Sequence, residues 1–323
     1  MVPINNIQNM GTIFVYYYML HYGYPYIIIK ASYMKEVLYM VKANVYDMVT
    51  NRIIAELEKG KIPWQKPWTG VRDGAYNRIT KRPYSLLNQM LLQHTGEYAT
   101  FKQWQDLGGH IRKGEKSEIV VFWKIFESKE TDSDTGEIEI KKIPLLRYYN
   151  VFHISQVDGV EPLAPEQLND EVEPIEAGDK IINDYINREH LKFVECKSNQ
   201  AYYSPSNDTV VVPLKEQYSM LNEYYSTTFH ELTHSTGHKN RLNRLQTGAV
   251  ASFGSENYSK EELVAEIGSA TLMSIAGIET PKTFRNSTAY IQNWLQVLRS
   301  DNKFIVSASS KAEKAVNYIL TQV

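Results

Sequence analysis

The chain has 323 residues, of which 43% are hydrophobic and 22% are charged, and its formal net charge is −2. This hydrophobic fraction is typical of folded globular proteins and argues against a disordered chain, and the length favours two domains. The single cysteine, Cys196, excludes an internal disulfide framework and favours a reducing, cytoplasmic location.

Residues 1–41 differ in character from the rest of the chain. The stretch from Thr12 to Ile29 is apolar and rich in tyrosine, but Gly23 and Pro25 interrupt it. It is marginal in length for a membrane span, and it lacks the basic start and cleavage site of a signal peptide. We predict that residues 1–41 are an extension outside the folded domains, and we predict no membrane partner.

Residues 42–157 are predicted to form an α+β domain. An amphipathic helix runs from Tyr46 to Gly60, a basic turn at 77–82 leads into a second helix, and a short helix from Thr100 stops at two glycines. Residues 118–126 and 144–154 have the composition of two strands.

Charge and aromatic residues predict a single-stranded DNA site in this domain. Residues 42–157 hold 18 Lys and Arg against 14 Asp and Glu, whereas residues 158–323 hold 15 against 22. Four of the five tryptophans lie in the basic half. Basic side chains contact phosphates and aromatic rings stack on bases, although buried core aromatics would give the same composition. The candidate DNA-binding residues are Trp64, Lys81, Arg82, Tyr84, Trp104, Arg112, Lys113 and Lys116.

Residues 158–178 are predicted to be an extended linker, because they contain prolines and several acids but no Lys or Arg. Residues 179–323 follow as a second α+β domain. A helix at 179–187 and a strand at 192–195 precede a hairpin at 201–213, and helices are expected at 288–298 and 311–321. An edge strand placed before a metal-binding helix can pair with an extended peptide.

The strongest motif is His230-Glu231-Leu232-Thr233-His234, which has the form H-E-x-x-H. Residues four apart share one helix face, so His230 and His234 can bind one zinc ion. Glu231 can then act as the general base for a zinc-bound water. The alternative is a core helix with two hydrogen-bonded histidines.

The third ligand decides the subclass of zinc protein. A histidine ligand after Gly237 is excluded, because Asn240 occupies the required position. A later helix offers two carboxylates one turn apart, Glu262 and Glu266, with Ser259 as its predicted N-cap. We predict that Glu262 binds the metal and that Glu266 orients a ligand histidine, although the two roles could be exchanged or both carboxylates could be solvated. The residue that stabilises the oxyanion is open, with His238, Arg241 and Tyr258 as candidates.

Taken together, these motifs resemble the ArdC-type antirestriction proteins over residues 44–320. The resemblance lies in Ile62-Pro63-Trp64, residues 77–88, 100–103 and 108–116, and, in the second half, Tyr203-Ser204-Pro205, residues 229–244 and 262–270. It implies an N-terminal α+β domain that binds single-stranded DNA and a C-terminal zincin-like, gluzincin-type α+β metallopeptidase domain. It also implies one Zn²⁺ per chain on His230, His234 and Glu262, Glu231 as the base, and protection of a mobile element's DNA from restriction.

The sequence is compatible with three different functions. The chain can be an antirestriction metallopeptidase that acts on a protein bound to DNA or on part of a restriction system. It can be a protein that coats single-stranded DNA and has a structural or silent metal site. It can also be a protease that clears proteins bound or crosslinked to DNA.

Overall fold

The computed structural model describes residues 31–65, 74–131, 138–163, 173–245, 256–279 and 288–321. The apolar stretch 12–29 and the middle of the predicted linker, 164–172, lie outside the described residues. Contacts divide the chain into two units, Met1–Lys42 and Ala43–Val323. The prediction that residues 1–41 are an extension outside the folded domains stays a prediction.

The N-terminal half contains a four-stranded mixed sheet. Helix α1 spans Ala31–Glu58, α2 spans Leu86–Leu91 and α3 spans Phe101–Asp106. The strand order is β1-β2-β5-β4, and the strands span Ala75–Asn77 (β1), Gly96–Ala99 (β2), Glu118–Thr131 (β4) and Ile138–His153 (β5). Helix α1 begins earlier than predicted, and the two predicted strands are extended into one long antiparallel hairpin.

The segment after the sheet is more ordered than the predicted linker. Strand β3, His110–Ile111, pairs antiparallel with β6, Val157–Asp158. The Leu163 amide then donates to the Glu97 carboxylate at 2.6 Å. Residues 158–163 are therefore attached to the sheet, because backbone and side-chain hydrogen bonds hold them there.

The C-terminal half combines helices with a small sheet. Helix α4 spans Pro174–Glu189 and begins before the predicted start, with Pro174 in its first turn, where a missing amide hydrogen is tolerated. Parallel β7, Lys192–Cys196, and antiparallel β8, Tyr202–Ser204, flank β9, Thr209–Pro213, so the predicted hairpin is confirmed. Helices α5, α6, α7 and α8 span Leu221–Ser235, Glu256–Ile275, Thr288–Ser300 and Phe304–Leu320.

One hydrophobic cluster contains side chains from both halves of the Ala43–Val323 unit. Ile53 and Trp64 from the first half lie in the same cluster as Ile267 and Ile305 from the second half. The rings of Trp64 and Trp294 meet edge to face, with centroids 6.5 Å apart. The division into two domains at the linker 158–178 stays a prediction, and the two halves share a core across it.

Among the described residues, no helix combines the length and apolar character needed to cross a lipid bilayer.

Candidate metal centre

Two helices, α5 and α6, cross closely and create the site. At the crossing Gly268 faces Thr233, and a Cβ atom built on Gly268 would lie only 2.6 Å from Thr233 Cγ2. One residue further along α6, the Ser269 hydroxyl donates to the Ser226 carbonyl oxygen at 2.7 Å. The absence of a side chain at Gly268 therefore lets α6 approach the helix that carries the H-E-x-x-H motif.

Helix α6 does not begin where the sequence pattern predicts. It starts at Glu256, so Ser259 lies inside the helix and the predicted N-cap is wrong. Ser259 is the fourth residue of this helix, so it does not occupy the position before the first turn that a capping residue needs. Glu262 and Glu266 nevertheless lie one turn apart on this helix, as expected.

The side chains of His230, His234 and Glu262 converge on one point. The two Nε2 atoms of His230 and His234 are 3.1 Å apart. Glu262 Oε2 lies 3.5 Å from His230 Nε2, and Oε1 lies 3.4 Å from His234 Nε2. All three residues are buried or half-buried.

These distances fit a divalent metal ion. Zinc bonds to nitrogen and oxygen are about 2.0–2.2 Å long, so two ligands of a tetrahedral ion lie about 3.4 Å apart. The three ligand-atom separations at this site lie between 3.1 and 3.5 Å. Two imidazole nitrogens and one carboxylate are also a donor set that catalytic zinc sites use, with a further position left for water.

Each of the two histidines also has a carboxylate near its second ring nitrogen, Nδ1. Glu266 Oε1 lies 3.5 Å from His230 Nδ1, and the orienting role of Glu266 stays a prediction. Glu261 Oε1 lies 3.6 Å from His234 Nδ1, and this contact was not predicted. Arg244 in turn holds Glu261 with hydrogen bonds of 2.8 and 3.3 Å, and it also donates to the Thr233 carbonyl oxygen.

Electrostatics around the histidines favour a cation. Burial lowers the pKa of His234, but the carboxylates of Glu261, Glu262 and Glu231 outweigh this effect and raise the pKa to about 10. Burial also raises the pKa of Glu262, but His230 and His234 reverse this and hold it well below its usual range. The surroundings that favour a proton on the ring nitrogens favour a metal ion in the same place.

Glu231, the predicted general base, lies within the motif and is 5% exposed.

Of the three candidates for stabilising the oxyanion, Arg241 makes its hydrogen bonds to other residues. It donates to both Asp208 oxygens at 2.8 Å and to Glu189 at 3.0 Å. Arg241 therefore ties the loop after α5 to the β8–β9 hairpin and to α4. The side chain of Tyr258 lies outside the described residues, and His238 is 9% exposed.

The predicted DNA-binding residues separate into two groups. Trp64, Tyr84 and Trp104 are 2%, 7% and 0% exposed. Their predicted role as stacking rings is wrong, because Trp64 packs on Trp294, Tyr84 on Tyr98, and the Trp104 indole donates to a backbone carbonyl oxygen. The basic residues all lie at the surface: Lys81, Arg82, Arg112, Lys113 and Lys116. Arg112 pairs with Glu115 and Asp158.

Other aromatic rings of the N-terminal half are accessible, and they were not among the predicted DNA-binding residues. The exposed aromatic residues of the N-terminal half include Phe101, Phe122, Trp123, Tyr148 and Tyr149. Four of these lie on the long β4–β5 hairpin. Their signal in the sequence was a pair of adjacent aromatic residues next to a cation on each strand, Lys124 on β4 and Arg147 on β5.

Comparisons with known proteins match both halves of the chain. A family model described as a zincin-like metallopeptidase matches residues 182–311, and one described as the N-terminal domain of anti-restriction factor ArdC matches residues 43–152. The uncharacterized protein y4eC of Sinorhizobium fredii is 33% identical over 298 residues, which is 86% of this chain and 92% of that protein.

Two longer relatives are DNA primases named TraC from Escherichia coli. Each is 31% identical, over 300 and 301 residues, which is 86% and 87% of this chain. The chain spans only 20% and 27% of the length of these two relatives.

Solved structures of an antirestriction protein have the same fold. The metal-free crystal structure of the antirestriction ArdC protein from plasmid R388 has a TM-score of 0.64 and 33% identity, and it covers 85% of this chain and 96% of that one. The Mn(II)-bound crystal structure has a TM-score of 0.65, 30% identity and the same coverage.

The fold and the His-His-Glu cluster define a zincin-like protein with a divalent metal site. Together with the N-terminal match, they show that this chain belongs to the ArdC-type antirestriction family. The predicted resemblance and the mixed α+β fold class are thereby confirmed.

Proposed function

We propose that this antirestriction protein is a zinc-dependent peptidase that acts while its N-terminal half holds single-stranded DNA. The observation that carries the proposal is the convergence of His230 Nε2, His234 Nε2 and Glu262 at separations of 3.1–3.5 Å. A site that only stabilised the fold would not need the buried carboxylate of Glu231 beside the two histidines.

Each residue of the proposed active site has a separate role. When bound, a zinc ion polarises a water molecule and the peptide carbonyl group. His230, His234 and Glu262 hold the ion, and Glu266 and Glu261 fix the orientation of the two imidazole rings. Glu231 accepts a proton from the attacking water and later returns it to the leaving amine.

The small sheet beside the metal helix supports binding of an extended peptide. Strand β8, Tyr202–Ser204, pairs with β9 on one side, and no other described strand pairs with it. An unpaired strand edge offers backbone amide and carbonyl groups to another extended chain. The substrate is then a protein segment that can lie along β8 in an extended conformation.

Single-stranded DNA binding rests on the exposed cations of the N-terminal half. Lys81, Arg82, Lys113 and Lys116 are exposed and lie on the segments that connect helices and strands. Phosphate contacts from such residues do not read sequence, so binding should be non-specific. Replacing Lys113 and Lys116 by Gln should flatten the slope of log affinity against log salt by about 0.7 per lost phosphate contact.

The substitution Glu231→Gln tests the peptidase. It keeps the size and hydrogen-bonding capacity of the side chain but removes the base, so the protein should still bind one metal ion per chain and lose peptidase activity. Cleavage of DNA-bound proteins, metal content and protection of incoming DNA from restriction should be measured together. Glu223→Gln, on the same helix but outside the cluster, is the matched control.

Each outcome of this experiment has a clear meaning. Loss of both cleavage and protection in Glu231→Gln supports an antirestriction peptidase. Full protection without cleavage would assign antirestriction to DNA coating and leave the peptidase with a separate role. Cleavage that persists in Glu231→Gln overturns the assignment of the base.

A further inference from the structure

A cleft of about 400 Å³ lies between the N-terminal sheet and the C-terminal helices. Its walls come from both halves of the Ala43–Val323 unit. They include Tyr84, Phe122, Ser274, Glu313, Val316 and Asn317. Small ligands bind in clefts of this size that are mostly apolar and have a few polar groups. The cleft is separate from the metal cluster, since none of His230, His234 and Glu262 lines it.

Aromatic rings form one side of the cleft mouth. The Phe122 side chain lines the cleft and yet is 45% exposed. Its ring centroid lies 6.1 Å from that of Tyr84 and 6.0 Å from that of Tyr149. Phe122 therefore presents a ring face at the boundary between the cleft and the open surface of the β4–β5 hairpin.

Exposed cations lie on the same face of the hairpin. Arg147 is the cross-strand partner of Phe122 in the antiparallel register, so the two side chains share one face, and Lys124 follows two residues later on that face. Both cations are exposed. Arg82, which is also exposed, directly precedes the cleft residue Pro83. Positively charged side chains thus lie close to the cleft on both the hairpin and the segment before Pro83.

The wall of the cleft includes one ionisable polar group. Glu313 Oε1 accepts from the Leu86 amide at 3.1 Å, and burial raises the pKa of this carboxyl group. An aliphatic side chain placed here would offer this carboxyl group no hydrogen bond, whereas the edge of a nucleobase has donors and acceptors to match it.

We propose that the cleft is a nucleobase pocket, in which one unstacked base of bound single-stranded DNA stacks on Phe122 and directs its polar edge toward Glu313. The phosphates on either side of this base lie near Arg147, Lys124 and Arg82. The inference rests on the proposed binding of single-stranded DNA. It adds that the C-terminal helices take part in holding the DNA.

The test uses the full-length chain and a fluorescein-labelled oligothymidine of 12 nucleotides. Phe122→Ala removes the stacking ring, and Asn317→Trp blocks the cleft from an exposed position on α8 without disturbing buried packing. Each should weaken binding roughly 5- to 100-fold, which is the loss expected for one stacked base. The salt dependence should stay unchanged because no phosphate contact is lost.

Matched controls exclude general damage. Phe101→Ala removes an exposed ring that does not line the cleft, and Ser307→Trp adds a large ring to α8 at an exposed position outside the cleft. Both should bind DNA within about twofold of the unaltered protein. An oligonucleotide of the same length without bases should bind more weakly to the unaltered protein, and Phe122→Ala should weaken it no further.

Several results would overturn the inference, and they are distinguishable from failure of the proposed function. If the unaltered chain binds no single-stranded DNA, the proposed DNA-binding function and the pocket fall together. If it binds and Asn317→Trp has no effect, the base stacks on the open hairpin or elsewhere and the pocket is wrong. If Asn317→Trp spares DNA binding but impairs peptide cleavage, the cleft accepts a protein side chain instead.

Discussion

Two residues outside the H-E-x-x-H motif complete the metal centre. Glu261 lies beside His234, and Arg244 holds Glu261 from the loop after α5. Both side chains are largely buried, with 17% and 8% of their surface exposed. A carboxylate that supports a ligand histidine raises the basicity of the ring and fixes its orientation, so Glu261 should contribute to metal affinity without touching the metal.

The substitution Glu261→Gln should therefore weaken zinc or manganese binding about 10- to 100-fold while leaving one metal site per chain. Glu266→Gln should have a similar effect through His230. Competition with a chelator of known affinity measures both. Glu216→Gln, at an exposed glutamate outside the site, is the control. Unchanged metal affinity in Glu261→Gln would show that His234 binds the metal equally well without the carboxylate of Glu261.

The residues of the site differ in how well the sequence alone predicts their roles. The spacing of His230 and His234 places both on one helix face, so their pairing was predictable. Glu261 adjoins Glu262, and neither spacing nor composition distinguishes a metal ligand from its neighbour. The burial of Trp64 and Trp104 was likewise unpredictable, because core rings and stacking rings have the same composition. Only the packing partners, such as Trp294, separate the two cases.

The Arg241 cluster gives a pH-dependent contribution to stability. Burial raises the pKa of Asp208, but hydrogen bonds from Arg241 and Tyr203 outweigh it and lower the value. Burial likewise raises the pKa of Glu189, but hydrogen bonds from Arg188, Tyr318 and Arg241 outweigh it and lower that value. A lowered carboxyl pKa means that the unfolded chain binds more protons in acid. The stabilisation is therefore present above the usual carboxyl range, about pH 4, and is lost as the pH falls through the folded-state pKa values.

Arg241→Met should lower the free energy of unfolding by about 1–3 kcal/mol at neutral pH, since it leaves two acceptors partly buried. The difference from the unaltered chain should shrink below about pH 4. Urea denaturation in excess chelator at several pH values measures this without a contribution from metal. Arg299→Met removes an exposed pair with Glu58 and should cost less than about 1 kcal/mol at every pH. A pH-independent loss in Arg241→Met would contradict the linkage.

At the scale of elements, the crossing of α5 and α6 decides whether the ligands meet. Gly268→Ala places a methyl group 2.6 Å from Thr233 Cγ2 and 2.7 Å from its Oγ1. The two helices must then separate, which should cost about 1–3 kcal/mol and move Glu262 away from the histidines. We expect a lower melting temperature and weaker metal binding.

The double variant Gly268→Ala, Thr233→Ala is the control for this effect. Removing the Thr233 branches leaves space for the new methyl group, so the double variant should recover metal affinity relative to Gly268→Ala alone. Calorimetric titration with metal and thermal melts give the coupling between the two positions. Additive losses would show that the crossing tolerates the methyl group and that the damage arises elsewhere.

The boundaries of several helices and strands differ from those predicted from the sequence. The β8–β9 hairpin was predictable because an apolar run follows a turn rich in Ser, Asn and Asp. The starts of α1, α4 and α6 were placed too late, because capping residues such as Ser259 also occur inside helices. The extension of β4 and β5 was missed because residues 127–137 are mostly polar and acidic, a composition typical of a loop.

The shared hydrophobic core connects the two halves of the Ala43–Val323 unit. Trp64 contacts Trp294, and Ile53 lies in the same buried cluster as Ile305. Each such side chain contributes about 1.5–3 kcal/mol when it is removed from water. A fragment such as residues 42–157 would expose these surfaces, so its stability depends on the rest of the chain.

Cleavage of the chain between the halves should therefore leave them together. With a protease site inserted within residues 164–172, the two products should co-elute in gel filtration after cleavage and separate only in denaturant. Metal content should be unchanged, since α5 and α6 lie in one product. The uncleaved protein with the same insertion is the control. Separation under native conditions would show that the halves are independent domains.

The common core also bears on how such genes change. A gene that received only one half by recombination would encode a protein with an open apolar surface, and selection would remove it. The two halves should therefore be inherited as one block, whatever is fused before or after it. The matches to the TraC primases agree with this expectation, because about 300 aligned residues span both halves while covering only 20% and 27% of those longer proteins.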